Sequence, residues 1–162
     1  MVEKLVDLLI RYNLTVTTAE SCTGGMISAT LVNVPGVSSV LNEAYVTYAN
    51  ASKIKLLSVS KKTLDEHGAV SYNTAYEMVK GAANAANADC AIAVTGIAGP
   101  DGGTKEKPVG TVYSAIYVNG TIKVTKHHFD GDRYEVRKQT TDCVLELLYN
   151  EILEYFKDVK ED

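Results

Sequence analysis

Cysteine is scarce in this 162-residue sequence: Cys22, Cys90 and Cys143 are widely spaced and odd in number. Such spacing builds neither a disulfide framework nor a C-x-x-C metal site. Reduced thiols suit a cytoplasmic protein, and Cys90 and Cys143, set in apolar runs, are expected in the core. No apolar run approaches the roughly 18 residues that would cross a membrane. The N-terminus, Met1-Val2-Glu3-Lys4-Leu5-Val6-Asp7, is amphipathic and lacks the layout of a signal peptide, so nothing points to export. Positive charge is also short, with 16 Lys and Arg against 20 Asp and Glu and a net charge of −4. That balance argues against nucleic acid as a partner. It leaves room for a few cations to gather at one pocket around a small anion. Internal repeats, low-complexity tracts and linkers are missing. So are the P-loop and the G-x-G-x-x-G fingerprint, which removes motif support for ATP or dinucleotide binding.

What is present is ordinary for a soluble globular protein: 46% hydrophobic and 22% charged residues, in a length sufficient for one core. Residues 1–162 are therefore expected to form a single domain. Val2, Leu5, Val6, Leu8 and Leu9 recur at helical spacing, and Leu14 to Thr18 alternates as a β-branched strand. Thr23 to Val32 reads as a helix, followed by a turn at Pro35-Gly36. A strand is expected over Ala44–Tyr48, then Asn50 as the N-cap of a helix through Leu57. Ser60 and Gly68 bracket a short helix, and Ser71 precedes a long alanine-rich one to about Ala86. Residues 89–95 form an apolar run typical of a buried strand. Asn119-Gly120, between Thr111–Val118 and Thr121–Phe129, signals a hairpin. Asp132 and Glu135 make a D-x-x-E start to the last helix. Strands that alternate with helices and end in a hairpin predict a three-layer α/β/α sandwich around a mixed β-sheet.

Four segments can carry chemistry. In Thr18-Ala19-Glu20-Ser21-Cys22-Thr23-Gly24-Gly25, Ser21 is expected at a helix start, where unpaired amides could stabilise an oxyanion. The glycines would let a ligand approach the backbone. The plainer alternative is that Ser21 or Thr23 merely caps the helix. A nucleophilic serine needs a base. His67, His127 and His128 have no obvious local partner for that job and suit structural or surface places. In Tyr45-Val46-Thr47-Tyr48-Ala49-Asn50-Ala51-Ser52-Lys53, Lys53 falls in a first helical turn, where the dipole disfavours positive charge. Neutralising a free lysine of pKa about 10.4 at pH 7 costs about 4.6 kcal/mol. One helix end supplies only about 0.3–1 kcal/mol. Lys53 must therefore be buried, or it is a surface lysine.

The third segment, Thr95-Gly96-Ile97-Ala98-Gly99-Pro100-Asp101-Gly102-Gly103-Thr104, follows the buried strand at the end where open α/β sheets bind ligands. Its glycines could form an anion nest, with Lys105 and Lys107 close behind; a surface loop is the alternative. In the fourth, Arg133 and Arg137 share a helix face. Arg133 at the helix start could hold a phosphate, and a solvated arginine pair is the simpler reading.

Together these segments resemble the C-terminal domain of the CinA family, whose stand-alone, PncC-like members are nicotinamide-nucleotide amidases. The resemblance runs from Val2 to Tyr155. It rests on Thr18–Gly25, Val46–Lys53, Thr95–Gly103 and Lys107-Pro108-Val109-Gly110-Thr111 in that order, with His67-Gly68-Ala69-Val70-Ser71 and Gly131-Asp132-Arg133. It implies hydrolysis of nicotinamide mononucleotide (NMN) to nicotinate mononucleotide and ammonia by a serine–lysine dyad that maps onto Ser21 and Lys53. Tyr48 matches the family's active-site tyrosine, expected to orient Lys53 or relay its proton. Thr95 and either Arg133 or Arg137 match substrate-binding positions. Cys22, Thr23, Gly24 and Gly25 are expected around the reacting amide, and Gly96 and Gly99 around the ribose phosphate. Neither a metal nor an organic cofactor is implied. Larger members carry an N-terminal domain linked to ADP-ribose cleavage, which this sequence is expected to lack. Two other functions stay open: a non-catalytic pyridine-nucleotide sensor, and an interaction module in competence or DNA-damage responses. A homodimer is a further expectation, because related proteins assemble; a membrane partner is not.

Overall fold

Side-chain size alternates along the central strand, and this decides which helices cover which face of the sheet. In the computed structural model, backbone is described for residues 1–161 and side chains for residues 1–157. Strand β3 (Cys90–Gly96) turns Cys90, Ile92 and Val94 to one face, and Ala91 and Ala93 to the other. The branched face is extended by Val16 of β1 (Val16–Glu20) and by Ile116 and Val118 of β4 (Thr111–Val118). It buries the apolar stripes of α1 (Val2–Tyr12), α2 (Met26–Val32) and α6 (Arg133–Glu161). On the small face, Ala19, Ala91, Ala93 and Ala115 let α5 (Tyr72–Ala86) lie close through Ala75, Met78, Val79 and Ala82. Leu57 of α3 (Asn50–Leu57) and Leu64 of α4 (Lys61–His67) complete that layer.

The five strands run in the order β2-β1-β3-β4-β5. Strands β2 (Leu41–Val46), β1 and β3 are parallel, and β4 and β5 (Thr121–His128) form an antiparallel hairpin on one side. This is the mixed three-layer sandwich that the sequence predicts. Among the described residues, no helix is long and apolar enough to cross a membrane.

Several boundaries move, for identifiable reasons. Asn13 takes a left-handed conformation (φ 51°) and closes α1, with the Leu14 amide donating to the Leu9 carbonyl at 2.9 Å. Leu14 therefore belongs to the helix end, and β1 runs later than expected, through Glu20. Helix α2 begins at Met26 because Ser21–Gly25 forms a turn, and Gly25 precedes the helix at φ 100°, a conformation that favours glycine. Ala49, not Asn50, is the N-cap of α3, and no side chain caps that end. Ser71 does cap α5, accepting from the Thr74 amide at 3.1 Å.

Gly81 decides how close α3 comes to α5. A Cβ added there would overlap the backbone carbonyl of Leu57. Gly81→Ala is expected to push α3 outward and cost about 1–3 kcal/mol, as overpacking does. A lower urea midpoint together with reduced activity would be the signature, because α3 carries Lys53. An unchanged midpoint would contradict the close contact.

Candidate active site

Parallel strands β1, β2 and β3 end at the same edge of the sheet, and the chain leaving β1 begins with Ser21. The Ser21 amide donates to the Val94 carbonyl at 3.1 Å, and the Thr47 amide to the Glu20 carbonyl at 2.9 Å, so the three strand ends are tied together. Lys53, one turn into α3, is 1% exposed, which meets the burial condition set by its sequence position. Its side chain runs back toward the helix N-terminus. There Nζ lies 3.1 Å from Ser21 Oγ, and it donates to the carbonyls of Thr47 at 2.7 Å and Tyr48 at 3.3 Å. Burial pushes the Lys53 pKa below the ordinary lysine value. Among the described residues no carboxylate opposes that shift. A neutral amine has two N–H donors and a lone pair. With both donors on carbonyls, the lone pair faces the Ser21 hydroxyl, the geometry of a general base.

The residue that builds the turn around Ser21 is Glu20, fully buried. Its carboxylate accepts from the hydroxyls of Thr18 at 3.3 Å and Thr23 at 2.7 Å. It also accepts from the amides of Gly25 and Ile27 at 3.0 Å each and of Ser28 at 2.8 Å. Glu20 thus caps α2 from outside the helix. The usual signal is a short polar residue immediately before the first turn, so an acidic residue at the end of a strand escapes it. This corrects two expectations. Neither Ser21 nor Thr23 caps the helix, and Thr23 and Gly25, expected to face substrate, are bound to Glu20. The Gly24 amide is likewise committed, to the Ser21 carbonyl at 3.1 Å. Beside Ser21, only Cys22 of this turn reaches the cavity wall. Hydrogen bonds to a charged group are worth about 1.5–3 kcal/mol each. Glu20→Ala, which orphans the Gly25 amide and two amides of α2, should therefore lower unfolding stability by about 3 kcal/mol or more. Equal urea midpoints for variant and parent would refute the capping role.

A cavity of about 220 Å³ opens over the serine, lined by Ser21, Cys22, Tyr48, Lys53, Thr95 and Arg133 among others. A larger hollow of about 500 Å³ adjoins it, sharing Ala98 and Arg133 and also touching Tyr134 and Arg137. Arg133, the first residue of α6, stands at the junction. Its Nη1 donates to the Gly99 carbonyl and its Nη2 to the Tyr48 hydroxyl, both at 2.7 Å. Tyr48 therefore meets Lys53 only through its backbone carbonyl, and its phenol faces Arg133. That places it as a bridge between the amine's surroundings and the arginine, not as a hydroxyl relay to Lys53. Arg137 diverges from Arg133: its Nε donates to the Cys22 carbonyl at 3.0 Å and its Nη2 to the Thr23 carbonyl at 2.7 Å. Arg133 is exposed and Arg137 half-buried, and the two hold different partners instead of forming a pair.

In the glycine-rich segment the Ile97 amide donates to the Thr111 carbonyl at 2.9 Å and the Thr104 amide to the Lys107 carbonyl at 2.8 Å. Gly96 lies in β3, where a Cβ would come within 2.7 Å of Val112 Cγ2 and 2.9 Å of the Thr111 carbonyl oxygen. Its backbone lines the cavity, but strand packing is what demands glycine. Gly99 offers Arg133 its carbonyl at 2.7 Å. Lys107 Nζ is tied to the carbonyls of Val70 at 2.6 Å and His67 at 3.2 Å, and Lys105 is exposed. Thr95, buried, donates to the Ala69 carbonyl at 2.8 Å, so it and Lys107 together hold the 67–71 wall of the cavity. His67 and His128 lie at the surface, as expected. His127 is half-buried, pairs with Ser114 Oγ at 2.8 Å, and has its pKa lowered by burial. Burial pushes the Cys22 thiol up to about 11 and the Cys90 thiol to about 12, so neither is a thiolate at neutral pH. Cys143 is half-buried beside His127, not in the core. Among the described residues no group of three or more His, Cys, Asp or Glu side chains could hold a metal ion.

The family model described as the CinA C-terminal domain matches residues 1–152. A putative competence-damage inducible protein of Clostridioides difficile is 54% identical over 138 residues, covering 85% of this chain and 33% of that protein. One of the same description from Clostridium novyi is 50% identical over 151 residues, covering 93% and 36%. The chain thus spans about a third of the length of these curated relatives. Among solved structures, a CinA superfamily protein from Klebsiella pneumoniae superposes with a TM-score of 0.91 at 34% identity, over 94% of this chain and 96% of the other. The competence/damage inducible protein CihA from Agrobacterium tumefaciens gives 0.86 at 42% identity, over 91% and 93%.

Proposed function

From the premise that the chain belongs to the CinA C-terminal domain family, we propose that it is an amidase hydrolysing the carboxamide of NMN through an acyl-enzyme on Ser21. The observation that carries this reading is the buried Lys53 amine, 3.1 Å from Ser21 Oγ, with two carbonyls to occupy its N–H groups. A surface lysine would be protonated and could not act as a base at neutral pH. Lys53 takes the hydroxyl proton as Oγ bonds to the carboxamide carbon. The Cys22 amide donates to the oxygen that becomes negative. Protonated Lys53 then gives its proton to the departing nitrogen as the C–N bond breaks, releasing ammonia. Water, deprotonated by Lys53, cleaves the nicotinoyl ester, and the proton returns to Ser21.

Cavity size supports a divided substrate. Sites for whole drug-sized ligands occupy about 300–1,000 Å³, so the 220 Å³ cavity suits the pyridine carboxamide alone. The adjoining hollow takes the ribose phosphate, with the Arg133 guanidinium at the junction to pair with the anion. Binding that remote group holds the carbonyl in place for attack. The direct test follows ammonia from nicotinamide, its riboside and its mononucleotide. Release fastest from the mononucleotide is expected. Calorimetric binding of NMN with no ammonia would replace the amidase by a nucleotide sensor.

A further inference from the structure

We infer that Arg137 is a positioning residue that aligns and polarises the oxyanion-binding amide of Cys22 through two peptide groups in series. In a trans peptide the C=O and the N–H point in opposite directions, so a held carbonyl also aims the next residue's amide. Arg137 Nη2 donates to the Thr23 carbonyl at 2.7 Å. That carbonyl shares its peptide with the Gly24 amide, which donates to the Ser21 carbonyl at 3.1 Å. The Ser21 carbonyl in turn shares its peptide with the Cys22 amide. This last amide belongs to a residue on the cavity wall, and among the described residues it pairs with no acceptor on another residue. The series therefore runs from a fixed cation, through two hydrogen-bonded peptides, to a donor beside the nucleophile that otherwise meets only the thiol of its own residue.

Hydrogen bonds in series polarise one another, so a guanidinium at the head strengthens the donor at the foot. The second contact, Nε to the Cys22 carbonyl at 3.0 Å, keeps the intervening peptide from turning over. Glu20 holds the opposite side of the same turn through Thr23 and Gly25. Arg133, one helical turn earlier, faces Tyr48 and Gly99 instead. One face of α6 thus performs two tasks: Arg133 meets the anion, and Arg137 serves the attacked carbonyl. Arg137 also touches the larger hollow, so direct phosphate binding is the competing role.

The inference rests on the amidase reading, and its test separates the two. Steady-state kinetics on NMN compare Arg137→Ala and Arg137→Lys with Arg133→Ala. Arg137→Ala is expected to lower kcat about tenfold to a hundredfold, less than loss of an oxyanion donor itself, with KM changed by about twofold at most. Added methylguanidinium should restore part of kcat, and Arg133→Ala should act mainly on KM. A second readout needs no nucleotide: Ser21 attacks a fluorophosphonate, fluoride leaves, Lys53 takes the proton, and the phosphoryl oxygen occupies the same donor site. Arg137→Ala should slow this labelling by a similar factor. Parent protein labelled at Ser21 but releasing no ammonia would defeat the amidase reading while leaving the Arg137 comparison valid. Parent protein that is neither labelled nor active defeats both. Equal kcat and labelling rates overturn the inference. So does a KM increase that disappears with the riboside, which would make Arg137 a phosphate ligand. So does a loss that methylguanidinium leaves untouched, which would make it scaffold only.

Discussion

Ser21→Ala is expected to reduce ammonia release from NMN by on the order of 10⁴- to 10⁶-fold, as removal of the nucleophile does in other covalent hydrolases. No neighbour can take its place. The Cys22 thiol lines the same cavity, but burial raises its pKa to about 11, so it stays protonated. The Thr95 hydroxyl is donated to the Ala69 carbonyl. Binding should survive, because the groups placed to hold the ribose phosphate remain, and calorimetry on the inactive variant would show it. Fluorophosphonate labelling should vanish at the same time. Robust turnover by the alanine variant would remove Ser21 from the chemistry altogether.

Lys53→Met should cost about 10²- to 10⁴-fold in kcat, the usual worth of a general base, and should also change how the protein responds to pH. In the parent, the active base is the neutral amine, so kcat should rise as pH climbs through the lowered Lys53 pKa. That limb should be missing from the residual activity of the variant. Stability carries a matching signal. The folded protein releases the Lys53 proton at lower pH than the unfolded chain does. Between those two values the unfolded chain binds more protons, so parent stability rises with pH across that window and levels off above the unfolded lysine value. Below the folded value the buried ammonium imposes its full penalty. Methionine removes this titration, although it leaves the carbonyls of Thr47 and Tyr48 without their donor. Thermal melts over the alkaline range should therefore show a steeper rise in the parent than in the variant. Parallel curves would mean that Lys53 keeps an ordinary pKa.

Much of the fold could be read locally. The β4–β5 hairpin follows from Asn119-Gly120, both at positive φ (44° and 98°), a pair of residues suited to that tight turn. Helix α5 follows from its Ser71 cap and its run of good helix formers, and β3 from an uninterrupted apolar run. One misplacement and one omission share a cause. Leu14 looks like strand because it is branched and apolar, yet a hydrogen bond back to Leu9 claims it for α1. Glu20 drew no expectation of its own, yet it caps a helix that begins six residues later. Both depend on where the chain turns, which residue type alone does not report.

Ser21 and Lys53 could be nominated from the linear chain, because helix spacing, capping residues and glycine turns act over a few neighbouring positions. Their meeting could not. The same lysine would be an ordinary surface cation had Gly81 not let α3 settle onto α5, or had β1 and β2 not ended at one edge. Likewise nothing in the spacing of Arg133 and Arg137 says that one faces Tyr48 and the other the Cys22–Thr23 backbone. Removal of water from a side chain, and the direction in which it points, are set by residues far away in sequence. Only the packed molecule brings those residues together.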